Sequence, residues 1–504
     1  MLDYLSHGSA AFGEIAAVDS FGGGTAEWYF STSGYTSQSG DTPPYRHMPG
    51  RLTQPITWAI TLSTAGGVVE GLQRQSGTVR VTNRDGALDP ILTQWGTVGH
   101  RVTCRLGQLG WSYASFGTVF SGRIEAVEAN ADDELEIRVG DVLSALDAPI
   151  QSNFYTGAGG VEGGDDLAGK PKPLAYGEID NVPAVLVDAA TLTYQVHDGP
   201  IDGIRGVFDD GVALTVAAGS PAAAGEYLSD DVNGTFTLGA APAGIVTVDL
   251  GGDASAPGHV NTTADLVRRI LFRHAGLDES DLDSASFSAL TAAQPAVVGL
   301  YLATTPIDIS TVVDRLLSGV SAWGGFDRLG KFRVGRLDEP SGAIAAVFSD
   351  VEIESLARRV MNPQPFWRTT VGYLKCWSVN TAPAASTNPV RRDFLSQEYR
   401  EAIANDATIQ TAYPAAVDAP ILASTMISPT DAQTEAARLL ALYGLPRVIV
   451  EIVVSRSAWA LSLGDVVQIT YQRYGLESGQ VGSVVGIVED AAGGRTTLSV
   501  FMER

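Results

Sequence analysis

The stretch nearest to a known chemical motif is Gly164-Asp165-Asp166-Leu167-Ala168-Gly169-Lys170, which matches the opening of the phosphate-binding P-loop pattern. The next residue is Pro171, where a P-loop needs a Ser or Thr hydroxyl for Mg²⁺. Proline also removes an amide from the helix start that should face phosphate, and Asp165 and Asp166 would repel the anion. The stretch therefore reads as a loop. His197-Asp198 is the one adjacent base and acid, but neighbours on a strand point to opposite faces. The six histidines, His7, His47, His100, His197, His259 and His274, are scattered. Paired acids occur at Asp132-Asp133, Asp209-Asp210 and Asp230-Asp231. Two carboxylates facing one cleft are what a glycosidase needs, yet each pair here reads as a turn or solvated loop, and Asp209-Asp210-Gly211 is a turn by type. There is no His-Glu-x-x-His, no Gly-x-Ser-x-Gly and no EF-hand loop. No residue is assigned as catalytic, cofactor-binding or metal-ligating, no cofactor is expected, and the chain is read as a non-enzyme.

Composition narrows the partners. Fifty-seven carboxylates against 33 Lys and Arg leave a net charge of -24. Nucleic-acid binding needs clustered cations, often with interleaved aromatics, and neither is present. An acidic surface suits solubility, or a wall that nucleic acid slides past. Cys104 and Cys376 are far apart and flanked by apolar residues, so buried thiols are expected, not a disulfide framework. No apolar run is long enough to span a membrane. Met1-Leu2-Asp3-Tyr4 lacks a basic or apolar leader, so synthesis in a cytoplasm is expected. Fifty-six glycines fit many short strands joined by turns, and the preference for Arg over Lys fits packed ionic contacts.

The elements are clearest near the end of the chain. Ser428-Pro429-Thr430-Asp431 predicts a helix start, with a hydroxyl cap, Pro at the first helical position and an acid where a capping box has Glu or Gln. Ala432, Ala436, Leu439, Leu440 and Tyr443 recur at helical spacing, Gly444 closes the helix and Pro446 forbids continuation. Strands follow at 448–454 and 461–471, then a hairpin of Val481–Glu489 against Thr496–Phe501 across a Gly-rich turn. The fold class is mainly β with α+β parts: two β-barrels plus inserted β-rich and α/β lobes.

Read in order, residues 1–50 form an N-terminal arm, in which Trp28-Tyr29-Phe30 is a strand fragment or docks on a neighbouring subunit. Residues 51–150 form a first barrel, from alternation at Ile56, Trp58, Ile60 and Leu62 and strands around 78–82, 101–106, 116–124 and 135–139. Residues 151–200 are a loop-rich connector, 201–258 an inserted β-rich lobe, and 259–340 a helical α+β lobe. Its helices are capped at Thr262 or Thr263 and at Asp308 or Ser310, with a weaker one over Asp281–Leu290. Residues 341–504 form a second barrel with a long insertion at 381–428, helical near Leu395–Ala404. Gly140-Asp141-Val142 echoes Gly464-Asp465-Val466, a hint that the two barrels are related.

These residues carry a family resemblance. Gly77–Asp89 followed by Val119–Ile124 resembles the opening barrel of a tailed-bacteriophage baseplate hub or tail-tip protein. Trp323-Gly324-Gly325-Phe326-Asp327-Arg328-Leu329-Gly330-Lys331-Phe332 resembles a segment of long-tailed phage tail proteins, and the Gly464-Asp465-Val466-Val467 unit is similar to the second hub barrel. The lobe at 201–258 and the excursion at 381–428 have no counterpart. The resemblance implies a homotrimer in the virion tail tip whose two barrels per chain make a pseudo-sixfold ring. Such a ring lies between a tail-tube or distal tail protein ring and tip fibre or spike proteins, and DNA passes through without specific binding. Two competing expectations stand beside it: a hexameric distal tail protein with one barrel, and a tail-associated cell-wall or polysaccharide hydrolase. A third is that the 201–258 lobe is a carbohydrate-binding module.

Overall fold

The computed structural model describes residues 9–19, 25–62, 71–108, 110–140, 146–362, 364–455, 458, 460–491 and 493–503. His7, Gly22-Gly23-Gly24, Val68-Val69 and Asp141-Val142-Leu143 lie outside them.

The architecture is mainly β with α+β parts, and its centre is a 14-stranded sheet. In chain order its strands are β1 (Ser9–Asp19), β2 (Thr25–Ser31), β3 (Leu52–Thr61), β4 (Gln75–Thr82), β5 (Trp95–Gly96), β6 (Arg101–Gln108), β7 (Gly117–Ala129) and β8 (Glu134–Gly140). After the lobes come β9 (Ile344–Phe348), β10 (Ile353–Val360), β11 (Arg447–Val454), β12 (Val466–Ile469), β13 (Gln480–Asp490) and β14 (Arg495–Glu503). The main path runs β2-β1-β6-β7-β8-β4-β3-β13-β14-β11-β10.

That sheet contains the same unit twice. In the first half, strands met along the chain as β3, β4, β6, β7, β8 lie side by side as β3-β4-β8-β7-β6. In the second half, β10, β11, β12, β13, β14 lie as β10-β11-β14-β13-β12. Numbering the strands of each unit one to five gives the order 1-2-5-4-3 in both, and every pairing within the units is antiparallel. The fourth strand of each unit carries a bulge against the fifth, between Ile124 and Ala126 in β7 and between Val484 and Gly486 in β13. A bulge adds local bend and twist, which lets one long strand serve two neighbours. The units differ at the third strand, which β1 flanks antiparallel in the first and β9 flanks parallel in the second.

Expected as two separate barrels, the units are instead fused. β3 pairs antiparallel with β13, placing Ile60 opposite Ile487 and Trp58 opposite Glu489. In neither unit does the ladder close on itself among the described residues, although β1 also runs close to β3. One apolar core lies under both units, from Phe30, Trp58 and Ile137 to Ile452, Leu498 and Phe501. Each such side chain contributes about 1.5–3 kcal/mol on full burial. The 1–50 stretch, expected as an arm, enters this sheet through β1 and β2, and Trp28-Tyr29-Phe30 is strand, with Trp28 edge-on to Trp95 at 5.3 Å.

Four helices matter to the site: α1 (Thr263–His274), α2 (Ser284–Ala293), α3 (Ile309–Ser318) and α4 (Pro429–Tyr443). Thr262 caps α1 by accepting from the Asp265 amide, and Ser428 caps α4 by accepting from that of Asp431. Gly444 ends α4 without a left-handed turn. It is glycine for space, because a Cβ there would lie 2.5 Å from the Leu440 carbonyl oxygen. α1, α2 and α3 bury Leu266, Ile270, Phe287, Val313 and Leu317 in a second core against Phe326 and Phe332.

Two boundaries fall elsewhere than the sequence suggested. The β-rich lobe starts at Leu174, not 201, because Leu174–Pro183 pairs with Val246–Asp253 in one of its two five-stranded sheets. The 381–428 stretch holds two short helices, Pro389–Leu395 capped by Asn388 and Ala407–Ala412 capped by Asp406, and between them Arg400–Asn405 is a strand on Phe366–Tyr373.

Candidate functional site

The residues that could have done chemistry are tied up in structure. His197 is buried at 1% exposure, and its Nδ1 accepts from the Ala175 amide at 2.9 Å. That leaves the ring proton on Nε2, 3.4 Å from Asp253 Oδ1. Asp198 points elsewhere and accepts from Asn153. Asp253 also receives Arg269 at 2.7 Å, Arg273 at 2.6 Å and the Ser255 hydroxyl. Burial opposes its charge, but His197, Ser255 and Arg273 hold its carboxyl well below the usual range. A Ser, a His and an Asp thus meet, yet Ser255 donates to the carboxylate and not to the imidazole. A hydroxyl nucleophile needs a base on its own proton, so this is a buried ionic lock between the β-rich lobe and α1. Next to it the Tyr176 hydroxyl lies 2.7 Å from His274 Nε2. Burial, then Arg273, push His274 down to about 4, so it is uncharged at neutral pH.

The P-loop-like stretch is a run of turns with Asp165, Asp166 and Lys170 exposed, and no helix follows it. The paired acids sit in turns or at strand ends. Asp133 and Asp210 have φ of 57° and 47°, and Asp209 accepts the Ala243 and Gly244 amides. A cluster not anticipated from sequence is Glu178, Asp202 and His259, whose ligand-type atoms lie within 4.8 Å of one another. Arg205 already bonds Glu178 and Asp180, and His259 Nε2 is 3.1 Å from Glu178 Oε1, so the group is an ion-pair network.

Where the two units meet the Ala322–Phe326 strand of the helical lobe, Trp58, Ile60, Trp323, Arg328, Leu461 and Ile487 line a narrow crevice. Arg328 belongs to the turn after Trp323-Gly324-Gly325-Phe326, and its carbonyl accepts from the Ser121 amide of β7 at 2.7 Å. Glu489 of β13 has no exposure; it accepts from Thr496 Oγ1 at 2.8 Å and from the Ala458 amide at 3.0 Å. Its burial pushes the carboxyl up to about 7. A second lock secures α4. Arg447, 1% exposed, donates to the Leu442 and Ala441 carbonyls at the helix end and to Glu339. Cations suit that end of a helix.

The main path of the sheet ends on β2 and β10, each paired on one side only among the described residues. β10 exposes Ala357, Arg358, Arg359 and Val360. At the other end of that unit β9, paired only with β12 among the described residues, exposes Ile344 at 45% and Val347 at 52%, and Val351 in the turn before β10 is 88% exposed. Open strand edges with uncharged apolar residues are ready pairing sites unless something covers them. Among the described residues no helix is long and apolar enough to cross a membrane.

Comparison with known proteins places likenesses beside this geometry. No protein-family model matches the chain, and no curated protein matches it. Among solved structures, a tail protein from Neisseria meningitidis MC58 is similar over 98% of this chain and 97% of its own, with 10% identity and a TM-score of 0.42. The 43 kDa tail protein of prophage MuSo2 from Shewanella oneidensis covers 97% of this chain and 98% of its own at 11% identity and a TM-score of 0.41. A chain of the virion of a native gene transfer agent particle covers 67% of this chain and 85% of its own at 14% identity and a TM-score of 0.40.

Sequence reasoning missed Asp253, Arg447 and Glu489. Only Glu489 leaves a trace, as an acid directly after the apolar run Val484–Val488. The ionic partners of the other two lie 16 or more residues away, beyond any local pattern.

Proposed function

We propose that this chain is a structural baseplate hub protein of a long-tailed phage: three copies close a ring that adapts a sixfold tail tube to a threefold tip. The observation that carries the proposal is the repeated 1-2-5-4-3 strand order in one polypeptide. A ring of three such chains offers six near-equivalent units, the number a hexameric tube must meet, while keeping threefold symmetry for a fibre or spike below. In this reading the chain is made in the host cytoplasm, resides at the virion tail tip and contacts a tube or distal tail ring above. The net charge of -24 would keep DNA moving through the opening, since an acidic wall repels phosphate.

The role is geometric. The buried Ser255–Asp253–His197 lock and the turn-bound acids do not assemble a cleft with a free nucleophile, so no turnover on host envelope material is expected. A hexameric distal tail protein needs one unit per chain, and this chain carries two. Native mass spectrometry of the purified full chain tests the reading. Three copies per ring are expected; six copies, or hydrolysis of envelope polysaccharide, would overturn it.

A further inference from the structure

We propose that Glu178, Asp202 and His259 form a binding site for one zinc-like divalent metal ion on the β-rich lobe. The three come from separate segments. Glu178 lies on the Leu174–Pro183 strand, Asp202 on Ile201–Asp209, and His259 in the loop after Val246–Asp253. The first two strands flank the third, and Glu178 and Gly203 both pair with Gly251. Gly251 keeps the ground between them clear: a Cβ there would stand 2.9 Å from the Asp202 Cβ, so Asp202 occupies the room that a side chain at 251 would need. The loop that carries His259 is pinned by Arg269, which donates to the Gly258 carbonyl.

One ligand-type atom of each residue lies within 4.8 Å of the other two, and His259 Nε2 is 3.1 Å from Glu178 Oε1. Two donors on one tetrahedral Zn²⁺ sit roughly 3–3.5 Å apart, so this pair already stands at ligand spacing. The other atoms of both groups are oriented by the protein. Glu178 Oε2 takes Arg205, which leaves Oε1, and His259 Nδ1 is buried toward the Asp253 backbone, which leaves Nε2. Partners of this kind fix the orientation of a metal ligand. The Asp202 carboxylate has no hydrogen bond or ion pair among the described residues. Three carboxylates, Glu178, Asp180 and Asp202, against the one guanidinium of Arg205 leave an excess of two negative charges, which a divalent cation cancels. The metal takes the place of the proton between His259 and Glu178. An imidazole among carboxylates suits zinc-like ions better than Ca²⁺ or Mg²⁺, which favour all-oxygen sites. Three protein donors leave a fourth position for water.

The untagged full chain, stripped with chelator and titrated with ZnCl2 by calorimetry, tests this, with thermal unfolding followed in parallel. One saturable Zn²⁺ per chain is expected, together with a higher melting temperature when it is bound. Asp202→Asn removes the charge without breaking a hydrogen bond. It is expected to weaken binding at least tenfold and to abolish the thermal shift, as is His259→Gln. His47→Gln, at an exposed histidine outside the lobe, is expected to bind as wild type does. No saturable binding, or binding that survives both Asp202→Asn and His259→Gln, overturns the site. Saturable binding of Ca²⁺ with none of Zn²⁺ overturns the proposal as well.

Discussion

Thr496 Oγ1 donates to Glu489 Oε2 across the β13–β14 hairpin at 2.8 Å, with neither residue exposed to solvent. The carboxyl sits where both units and the helical lobe converge. Burial raises it from an ordinary 4.5 to about 7, against the Thr496 and Ala458 hydrogen bonds and the Arg328 charge, which favour ionisation. The folded state therefore holds this proton more tightly than the unfolded chain does. The resulting stability is fully present below the unfolded value and is lost as pH rises through the folded one. Glu489→Gln keeps the shape without the titration. Thermal unfolding from pH 5 to 8 is expected to show wild type losing ground to the variant, on the order of 3 kcal/mol across the range. Parallel curves would contradict this account.

Arg447 is the larger liability. Its guanidinium ends α4 by bonding the Ala441 and Leu442 carbonyls, and its backbone amide bonds Asn362 Oδ1 at 2.6 Å. Arg447→Ala is expected to destabilise the protein by about 2–4 kcal/mol, because the buried Leu442 carbonyl loses its donor and a cavity opens. Arg447→Lys should recover only part of this, since one ammonium cannot reproduce the planar fork. Denaturant titration of both variants gives the ordering.

Gly177 tests how tightly the β-rich lobe is seated. Its φ is +66°, and a Cβ there would stand 2.0 Å from the Val298 carbonyl oxygen. Gly177→Ala therefore meets both left-handed backbone strain and a backbone clash. A loss of about 2–4 kcal/mol is expected, whereas Gly219→Ala, where a Cβ meets nothing within 4 Å, should be near neutral. Equal melting temperatures for the two would refute the placement of this strand.

Both thiols should be silent in the folded protein. Cys104 and Cys376 are 3% and 1% exposed. Burial pushes the Cys376 thiol up, partly opposed by the Asn181 amide that bonds its sulfur at 3.1 Å. Thiol titration is expected to find no fast-reacting group natively and two after denaturation. A rapidly modified cysteine in the native state would show that one core is open.

The α4 cap, the 480–503 hairpin and the alternation of β3 were legible because each depends on neighbours in sequence: Ser428 with Asp431, a Gly-rich turn, Ile56 with Trp58 and Ile60. The duplication was inferred for a reason the structure does not support. Gly140 ends β8, a fifth strand, while Gly464-Asp465 precedes β12, a third strand, so the shared tripeptide marks unlike positions. The true repeat lies in pairing order, which leaves no residue signature. The fusion through β3 and β13 was equally invisible, since either strand alone reads as half-buried in a separate barrel. The ionic locks at Asp253 and Arg447 depend on side chains brought together from remote segments, and periodicity carries no information about them.

The pairing of Ile60 with Ile487 also constrains how the polypeptide can be made. The flank of β3 stays bare until β13, made much later in the chain, comes back to cover it. Contacts so distant in sequence are slow to form, and the waiting edge is open to wrong partners meanwhile. A fragment that stops short of β13 therefore leaves the β3 edge uncovered and the two units unjoined.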